Sequence, residues 1–385
     1  MIRRFFQNAA DYIRETDMIL LVTCLISSLY GCALIFSATH SGGSYQQVIV
    51  QLAATLLGII VAIGVSFFDY GKVSRLWPIF IAGGILLILI TFIFGYAPDQ
   101  TSNKAWLRLP GGMSLQISEL IKIIMIIVFS VHVTSIRRDE INKVHNVILL
   151  FLHSMTAPAL IMVFQRDLGT VTVMIVIAVL MLFASGIKLR WFALGGATIA
   201  AAAPVIWFLG LDDYQRNRFS IIFDLESDPL GDGYQQLQGL RALGSGGIFG
   251  QGYLQGAKTQ TEGVPKAYND FILSVAGEEL GLIGCLAVFV LIIVLLYRII
   301  RTAQLSRDFQ GTVICAGVFG MFAAQLLINT GMVLAVLPVI GVTLPFFSAG
   351  GSSLVCLYIS IGLVLSVYKH RNTRVIYLSD KKAGW

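Results

Sequence analysis

The sequence predicts an all-α polytopic membrane protein, and three observations predict it. The 385-residue chain is 56% hydrophobic and only 12% charged, with a mean hydropathy of +0.81, whereas a soluble domain carries about 25% charged residues. Apolar runs close to 20 residues long, the length that crosses a hydrocarbon core, recur along the whole chain. Lys and Arg collect in short blocks between alternate runs, as the positive-inside rule requires.

Taken in order, the runs fall at about 18–37, 47–67, 77–96, 116–134, 147–164, 169–187, 191–210, 270–297, 312–334 and 349–368. This is an expectation of about ten transmembrane helices. Only Gln165-Arg166-Asp167 separates the fifth from the sixth. With the N-terminus inside, 18 of the 27 Lys and Arg fall in cytoplasmic segments, and merging those two runs would reverse every later loop. Both termini are therefore expected in the cytoplasm. The chain reads as one membrane domain, 1–385, with a cytoplasmic N-terminus at 1–17 and a cytoplasmic tail at 369–385. A large extracytoplasmic loop, 211–269, lies between the seventh and eighth runs. The opening MIRRFFQNAADYIRETD is polar and leads directly into the first run, unlike a cleavable signal peptide.

Composition also excludes several function classes. The net charge of +6 is spread over inter-helix blocks, so it is no nucleic-acid signal. Cys24, Cys32, Cys285, Cys315 and Cys356 all lie inside apolar runs without a CxxC pattern and read as small buried residues. The five histidines (His40, His132, His145, His153 and His370) show no metal-binding spacing and read as loop or packing residues. No GxSxG or Ser-His-Asp pattern is present. No convincing internal repeat appears, which weighs against an inverted-repeat transporter.

Two external segments stand out. One runs from Ala97 to Leu115. The other is the 211–269 loop, far longer than a usual connection. Within it, GYQQLQGLRAL places Tyr234, Leu237, Leu240 and Arg241 at helical spacing, predicting a short amphipathic or re-entrant helix. GSGGIFGQGYLQG follows with six glycines. It departs from GxGxxG at Phe249 and follows no strand, so it reads as backbone freedom for close packing on the helix mouths. Breakers mark two other places: Pro158 within the fifth run, and Pro338, Gly341 and Pro345 before Ser348-Ala349-Gly350-Gly351-Ser352. Irregular backbone at membrane depth is tolerated only where it lines protein or water.

The polar residues that remain cluster toward the external ends. Lys266, Tyr268, Asn269 and Asp270 precede the eighth run, with Glu278 and Glu279 two turns inside it. At least one of those glutamates must face protein, since both facing lipid would cost too much. Asp270 is the sharpest candidate for chemistry. It could cap the eighth helix, but a carboxylate at a helix N-terminus also tends to stay ionised, and beside a substrate hydroxyl it can act as a general base. Glu119 and Lys122 share a helix face three residues apart, either as a self-neutralising pair or as a pair facing a cleft, with Lys122 on a substrate phosphate. Asp167 and Arg166 pose the same choice. Trp106, between Lys104 and Arg108, is either an interfacial anchor or a platform under a sugar while the cations hold pyrophosphate. Lys266 counts with these as a candidate substrate-binding cation.

At this point the motifs resemble a known family, the SEDS proteins of the RodA/FtsW/SpoVE group. LPVIGVTLPFFSAGGSS (337–353) is similar to the family's C-terminal signature, and GSGGIFGQG followed by NDFILSVAGEELG to its loop and eighth-helix motif. QRDLGT (165–170) and LQISELIK (115–122) resemble two further motifs. The chain departs where the family usually has Pro, at Arg166 and Ile117, where it has Tyr, at Ala349, and where it has Gly, at Ala335. The resemblance implies peptidoglycan glycosyltransfer: polymerisation of lipid II, a disaccharide-peptide on undecaprenyl pyrophosphate, at the outer face of the bacterial cytoplasmic membrane. It implies Asp270 as the catalytic aspartate, with Trp106, Arg108, Glu119, Lys122, Asp167 and Ser348 around a central cavity. Charge on the leaving pyrophosphate would be met by Lys122 and Arg108 or by a divalent cation, Mg or Mn, with no organic cofactor. The implied partners are lipid II, membrane lipid and a class B penicillin-binding protein, with no nucleic acid. The short N-terminus and NTGMVLAVLPVIGV look RodA-like, pointing to cell elongation and shape.

Other readings compete. A precursor flippase would use the same cavity without an external base, and would place charges near the bilayer midplane. A non-catalytic scaffold for the penicillin-binding protein leaves Glu119, Lys122, Asp167 and Asp270 without a role. Another polyprenyl-sugar glycosyltransferase or ligase is separated from the first reading only by the motifs.

Overall fold

The structure is a computed structural model that describes residues 12–97, 104–108, 114–205, 207–208, 216, 220–225, 228 and 231–372. The basic residues Arg3, Arg4, Arg374, Lys381 and Lys382, and parts of the loop expected at 211–269, lie outside the described residues. Each apolar run becomes a helix: α1 (Met18–His40), α2 (Gln46–Phe67), α3 (Trp77–Phe94), α4 (Ile117–Ser135), α5 (Val144–Gln165), α6 (Leu168–Ala184) and α7 (Leu189–Val205). The amphipathic stretch forms α8 (Asp232–Ser245), and the last three runs form α9 (Ile272–Leu305), α10 (Phe309–Val333) and α11 (Gly351–Lys369). Eight of these helices are long and apolar enough to cross a membrane. The other two apolar helices, α6 and α7, have 17 residues each. This is a multi-pass all-α membrane protein.

The most buried of the long spans are α4, α10 and α11, with α1 next. α3 turns most of its surface outward, and no residue of α7 is buried. Lipid-facing helices cannot be held together by hydrophobicity alone, so close backbone approach matters. α2 and α11 illustrate this: a Cβ on Gly58 would lie 2.2 Å from the Tyr358 ring, and one on Gly362 would lie 2.9 Å from the Ala62 carbonyl oxygen. A hydrogen bond of 2.9 Å between Ser28 and Tyr358 then ties α1 to α11.

The described ends of the chain meet at one end of the bundle, the terminal end. There Arg298 pairs with Asp17 at 2.7 Å, Arg307 with Asp69 at 2.6 Å, and Arg371 donates to the Glu15 carbonyl at 3.2 Å. The three aspartates that start helices here also cap them. Asp17 accepts from Leu20 N, Asp308 from Gly311 N, and Asp69 from Gly71 N at the head of a one-turn helix, Tyr70–Ser74. Such caps satisfy amides that have no partner inside the helix.

The opposite, loop end is irregular. The separation of α5 from α6 stands, with a two-residue connection. Arg166 ends α5 in the left-handed region, φ 54. Proline, which the resemblance leads one to expect there, is locked near −65° and could not take this conformation. Pro158 does not break its helix as expected: α5 runs through it, and Pro158 is buried. Neighbouring helices can absorb such a proline in a membrane bundle. Residues 106–108 and 114–116 pair as a small antiparallel hairpin, β1 (Trp106–Arg108) and β2 (Ser114–Gln116), with Trp106 opposite Gln116. The helical reading of the chain did not anticipate it.

α9 has 34 residues and changes direction at Gly281, whose φ is 68. The break frees backbone groups at membrane depth, and the glycine-rich loop supplies their partners. Gln251 N and Gly252 N donate to the Glu278 and Glu279 carbonyls at 2.9 and 3.0 Å, while Leu282 N donates to the Gly247 carbonyl at 2.9 Å. A Cβ on Gly250 would meet the Glu279 carbonyl oxygen at 2.1 Å, so this loop needs its glycine for contact, as the sequence suggested.

Candidate active site

Both glutamates of α9 face protein. Glu278 accepts from Lys258 N, Thr259 N and Thr259 Oγ1 at 2.8, 2.8 and 2.6 Å. Glu279 accepts from Ser37 Oγ at 2.5 Å, Gln260 Nε2 at 2.9 Å and Leu254 N at 3.1 Å. The two carboxylates thus act as pins. They fasten the loop before Asp270 onto α9 and α1, and every acceptor is used within the protein.

Asp270 lies two residues before the first residue of α9. The N-cap position is Phe271, which makes no side-chain cap, so the simple capping role is not the one Asp270 occupies. It is half-buried. Its carbonyl accepts from Asn329 Nδ2 of α10 at 2.8 Å, and the same nitrogen donates to the Val342 carbonyl at 2.8 Å. Its carboxylate approaches Gly341: a Cβ built there would stand 3.9 Å from Oδ2. Two residues earlier, the Tyr268 carbonyl accepts from Ala349 N at 2.9 Å. The segment from α10 to α11 therefore flanks Asp270 on two sides.

That segment is itself held open by side chains. Phe346 has φ 70, which is costly for a bulky residue. Gln51 of α2, fully buried, donates to the Phe346 and Ser348 carbonyls at 3.4 and 3.1 Å and accepts from Gly350 N at 3.2 Å. Ser348 Oγ accepts from Leu344 N at 2.8 Å. Ser348 thus shapes the loop beside Asp270.

Asp167 sits at the N-terminus of α6. Its carboxylate accepts from Thr170 N at 3.0 Å, Thr170 Oγ1 at 2.8 Å, Ser118 Oγ at 3.2 Å and Gln116 Nε2 at 3.3 Å. Arg166 is exposed, so the partners of this carboxylate are hydroxyls and amides of α4 and α6. Close by, a Cβ on Gly169 would meet the Ile340 carbonyl oxygen at 2.3 Å, which presses the start of α6 against the residues that flank Asp270. Gln116 N also donates to Ser352 Oγ of α11 at 3.3 Å. The helix starts of α4, α6, α9 and α11 are thus joined through one polar seam.

Glu119 and Lys122 form the predicted pair, Nζ to Oε1 at 2.9 Å, with side chains 7% and 1% exposed. The second oxygen of Glu119 is buried without a protein partner. Trp106 is half-exposed on β1. Arg108 is exposed with its guanidinium 4.5 Å from the Tyr96 ring centre, a cation–π stack. Lys266 is exposed in the turn leading to Asp270, with φ 52.

Sequence reasoning missed Gln51, Asn329, Ser118 and Thr170. The available signal was a lone amide or hydroxyl inside an otherwise apolar run, which needs a partner in a membrane interior. All five cysteines are buried and free. His132 and His153 pair across α4 and α5 at 2.6 Å, consistent with their reading as packing residues.

Comparison with known proteins agrees with the motifs. The family model described as "Cell cycle protein", covering FtsW, RodA and SpoVE proteins, matches residues 16–373. The peptidoglycan glycosyltransferase MrdB of Escherichia coli K12 is 33% identical over 93% of this chain and 94% of its own length. A probable peptidoglycan glycosyltransferase FtsW of Geobacter metallireducens is 31% identical over 92% and 95%. A solved chain from a peptidoglycan synthase complex that coordinates polymerization and crosslinking superposes with a TM-score of 0.80, at 25% identity over 93% of this chain and 99% of that one. The rod shape determining protein RodA of Thermus thermophilus shares the fold, with a TM-score of 0.69 at 24% identity over 93% and 98%.

Proposed function

This chain belongs to the FtsW/RodA/SpoVE family, and from that premise we propose that it is a peptidoglycan glycosyltransferase. It polymerises lipid II at the outer face of the bacterial cytoplasmic membrane, with both termini inside and a role in elongation and shape. The observation that carries the site assignment is the position of Asp270. A half-buried carboxylate stands where the segment before α9 meets the segment between α10 and α11, fixed through its main chain by Asn329. In the reaction, Asp270 takes the proton of the acceptor sugar hydroxyl as its oxygen attacks the donor's anomeric carbon. The bond from that carbon to the pyrophosphate oxygen breaks, and the undecaprenyl pyrophosphate leaves with its charge. Attack from the opposite face inverts the anomeric centre. Little acid assistance is needed, because pyrophosphate leaves as an anion. Lys122, Arg108 and Lys266 are the cations suited to that charge, with Trp106 beneath a sugar.

Asp167 and Ser348 serve by shaping the walls, through the contacts their oxygens make. A divalent cation has no protein cage to occupy: among the described residues, no three His, Cys, Asp or Glu side chains converge. The partner is a class B penicillin-binding protein that cross-links the new strand, in keeping with the synthase complex whose fold this chain shares.

Purified protein with its penicillin-binding partner is expected to make glycan from lipid II. Asp270→Asn is expected to lose activity by about 10²–10⁴-fold, the usual contribution of a general base. Equal activity in the variant would remove Asp270 from the chemistry. Lipid II movement across vesicles without glycan would favour the flippase instead.

A further inference from the structure

Asn329 is completely buried in α10, yet only one half of its amide is satisfied. Nδ2 donates to two carbonyls, those of Asp270 and Val342, at 2.8 Å each. Oδ1 is buried without a partner. An orphaned buried acceptor is expensive, and a native structure that keeps one calls for a reason. The reason lies in what Nδ2 holds. One carbonyl belongs to the candidate base itself. The other belongs to the residue after Gly341, the glycine nearest the Asp270 carboxylate. One nitrogen thus ties the main chain of the candidate base to the wall it faces. A further cross-tie of these two segments is the bond from Ala349 N to the Tyr268 carbonyl, and the loop that presents Ala349 is itself held by Gln51.

We propose that Asn329 is a positioning residue for glycosyl transfer: its amide fixes the place of Asp270, with Gln51 bracing the opposite side of the same loop. The proposal rests on the reading of Asp270 as base. Asn329 touches neither substrate nor reacting atoms, so its effect falls on the approach of the Asp270 carboxylate to the acceptor hydroxyl. Misplacing a catalytic group by about 1 Å can cost about 100-fold.

The test compares wild type, Asn329→Ala, Gln51→Ala and Asp270→Asn in lipid II polymerisation with the penicillin-binding partner. Rates are normalised to the folded, monodisperse fraction, and kcat, KM and the pH profile are recorded. The expected result for Asn329→Ala is a kcat lowered by roughly 10–100-fold, a KM changed less than threefold, and a displaced acid limb of kcat. Gln51→Ala should show the same pattern more weakly. A structural role alone would reduce the folded fraction and leave kcat per folded molecule and the acid limb in place, which overturns the proposal. Asn329→Ala at wild-type kcat with Asp270→Asn inactive overturns it while the base reading stands. Activity in Asp270→Asn overturns both. Should Asn329→Ala yield no folded protein, Gln51→Ala decides alone, by the same split between kcat and KM.

Discussion

The two ends of the bundle solve the same problem in opposite ways. At the terminal end, α1 and α10 begin with aspartate caps, while α3 and α5 begin without side-chain caps, and Arg–Asp pairs tie the bundle, Arg298 to Asp17 and Arg307 to Asp69. At the loop end, Asp167 caps α6, but α4, α9 and α11 begin without side-chain caps, at Gln116, Phe271 and Gly350. Polar groups around these starts find partners on other segments: Gln116 N donates to Ser352 Oγ, the Asp270 carbonyl accepts from Asn329 Nδ2, and Gly350 N donates to Gln51 Oε1. Local caps make each helix self-sufficient. Borrowed partners make these three helix starts depend on other segments, and the seam they form flanks Asp270. The comparison teaches that regularity is given up at the end of the bundle where the candidate carboxylate, Asp270, stands.

The largest test of this contrast is Glu278→Ala. It removes the acceptor of two backbone amides and a hydroxyl. With each buried unsatisfied group costing about 1–3 kcal/mol, a loss of roughly 3 kcal/mol or more is expected, together with lost polymerisation, because the loop before Asp270 comes free. Thermal unfolding in detergent and glycan synthesis measure the two; a stable, inactive variant would show that the pin serves the site and not the fold. Arg298→Ala at the other end leaves Asp17, 1% exposed, without its counter-ion. About 3 kcal/mol of stability should go, with polymerisation per folded molecule unchanged. A specific activity that fell as well would dissolve the division between the two ends.

Smaller effects sharpen it. Burial pushes the Asp69 carboxyl up, but the hydrogen bonds from Arg307 and Gly71 outweigh burial and hold it below the ordinary carboxylate value. Its stabilisation is present above the unfolded pKa of about 3.9 and is lost as pH falls through the lowered folded value. The stability gap between wild type and Asp69→Asn, about 1 kcal/mol, should stay constant from roughly pH 5 to 8 and close below about 4. A gap that widened on acidification would contradict the assignment. Smallest is Ala335→Gly. Ala335 has φ 57, a conformation glycine takes without the left-handed penalty. The greater entropy of an unfolded glycine offsets part of the gain, leaving about 0.5 kcal/mol of stabilisation, readable as a small rise in Tm.

How much of this was legible in the sequence follows the same division. Apolar length and basic blocks predicted all ten long helices, including the split at Gln165-Arg166-Asp167, because a membrane imposes one length scale on every span. The Glu119–Lys122 pair was legible because both residues lie on one helix turn. Asp167 was legible as a candidate, but not its choice of Ser118 and Thr170 over Arg166, since the left-handed Arg166 points the chain elsewhere. The hairpin at Trp106–Gln116 was missed because three-residue strands carry no period. Gln51 and Asn329 were missed for a different reason. Each looks like an ordinary polar exception in an apolar run, and its partners lie in segments whose spatial position no local pattern encodes.

The span of the Gln51 bonds has a consequence for the order of synthesis. The atoms it holds lie 295 to 299 residues further along the chain. At about 5–20 residues per second, α2 waits roughly 15–60 s in the bilayer with a bare amide before residues 346–350 are made. Throughout that interval the loop beside Asp270 has no brace, because neither the loop nor α11 exists. A chain still attached to the ribosome through its last span therefore lacks the Gln51 brace, which closes only when the final helix packs against the second.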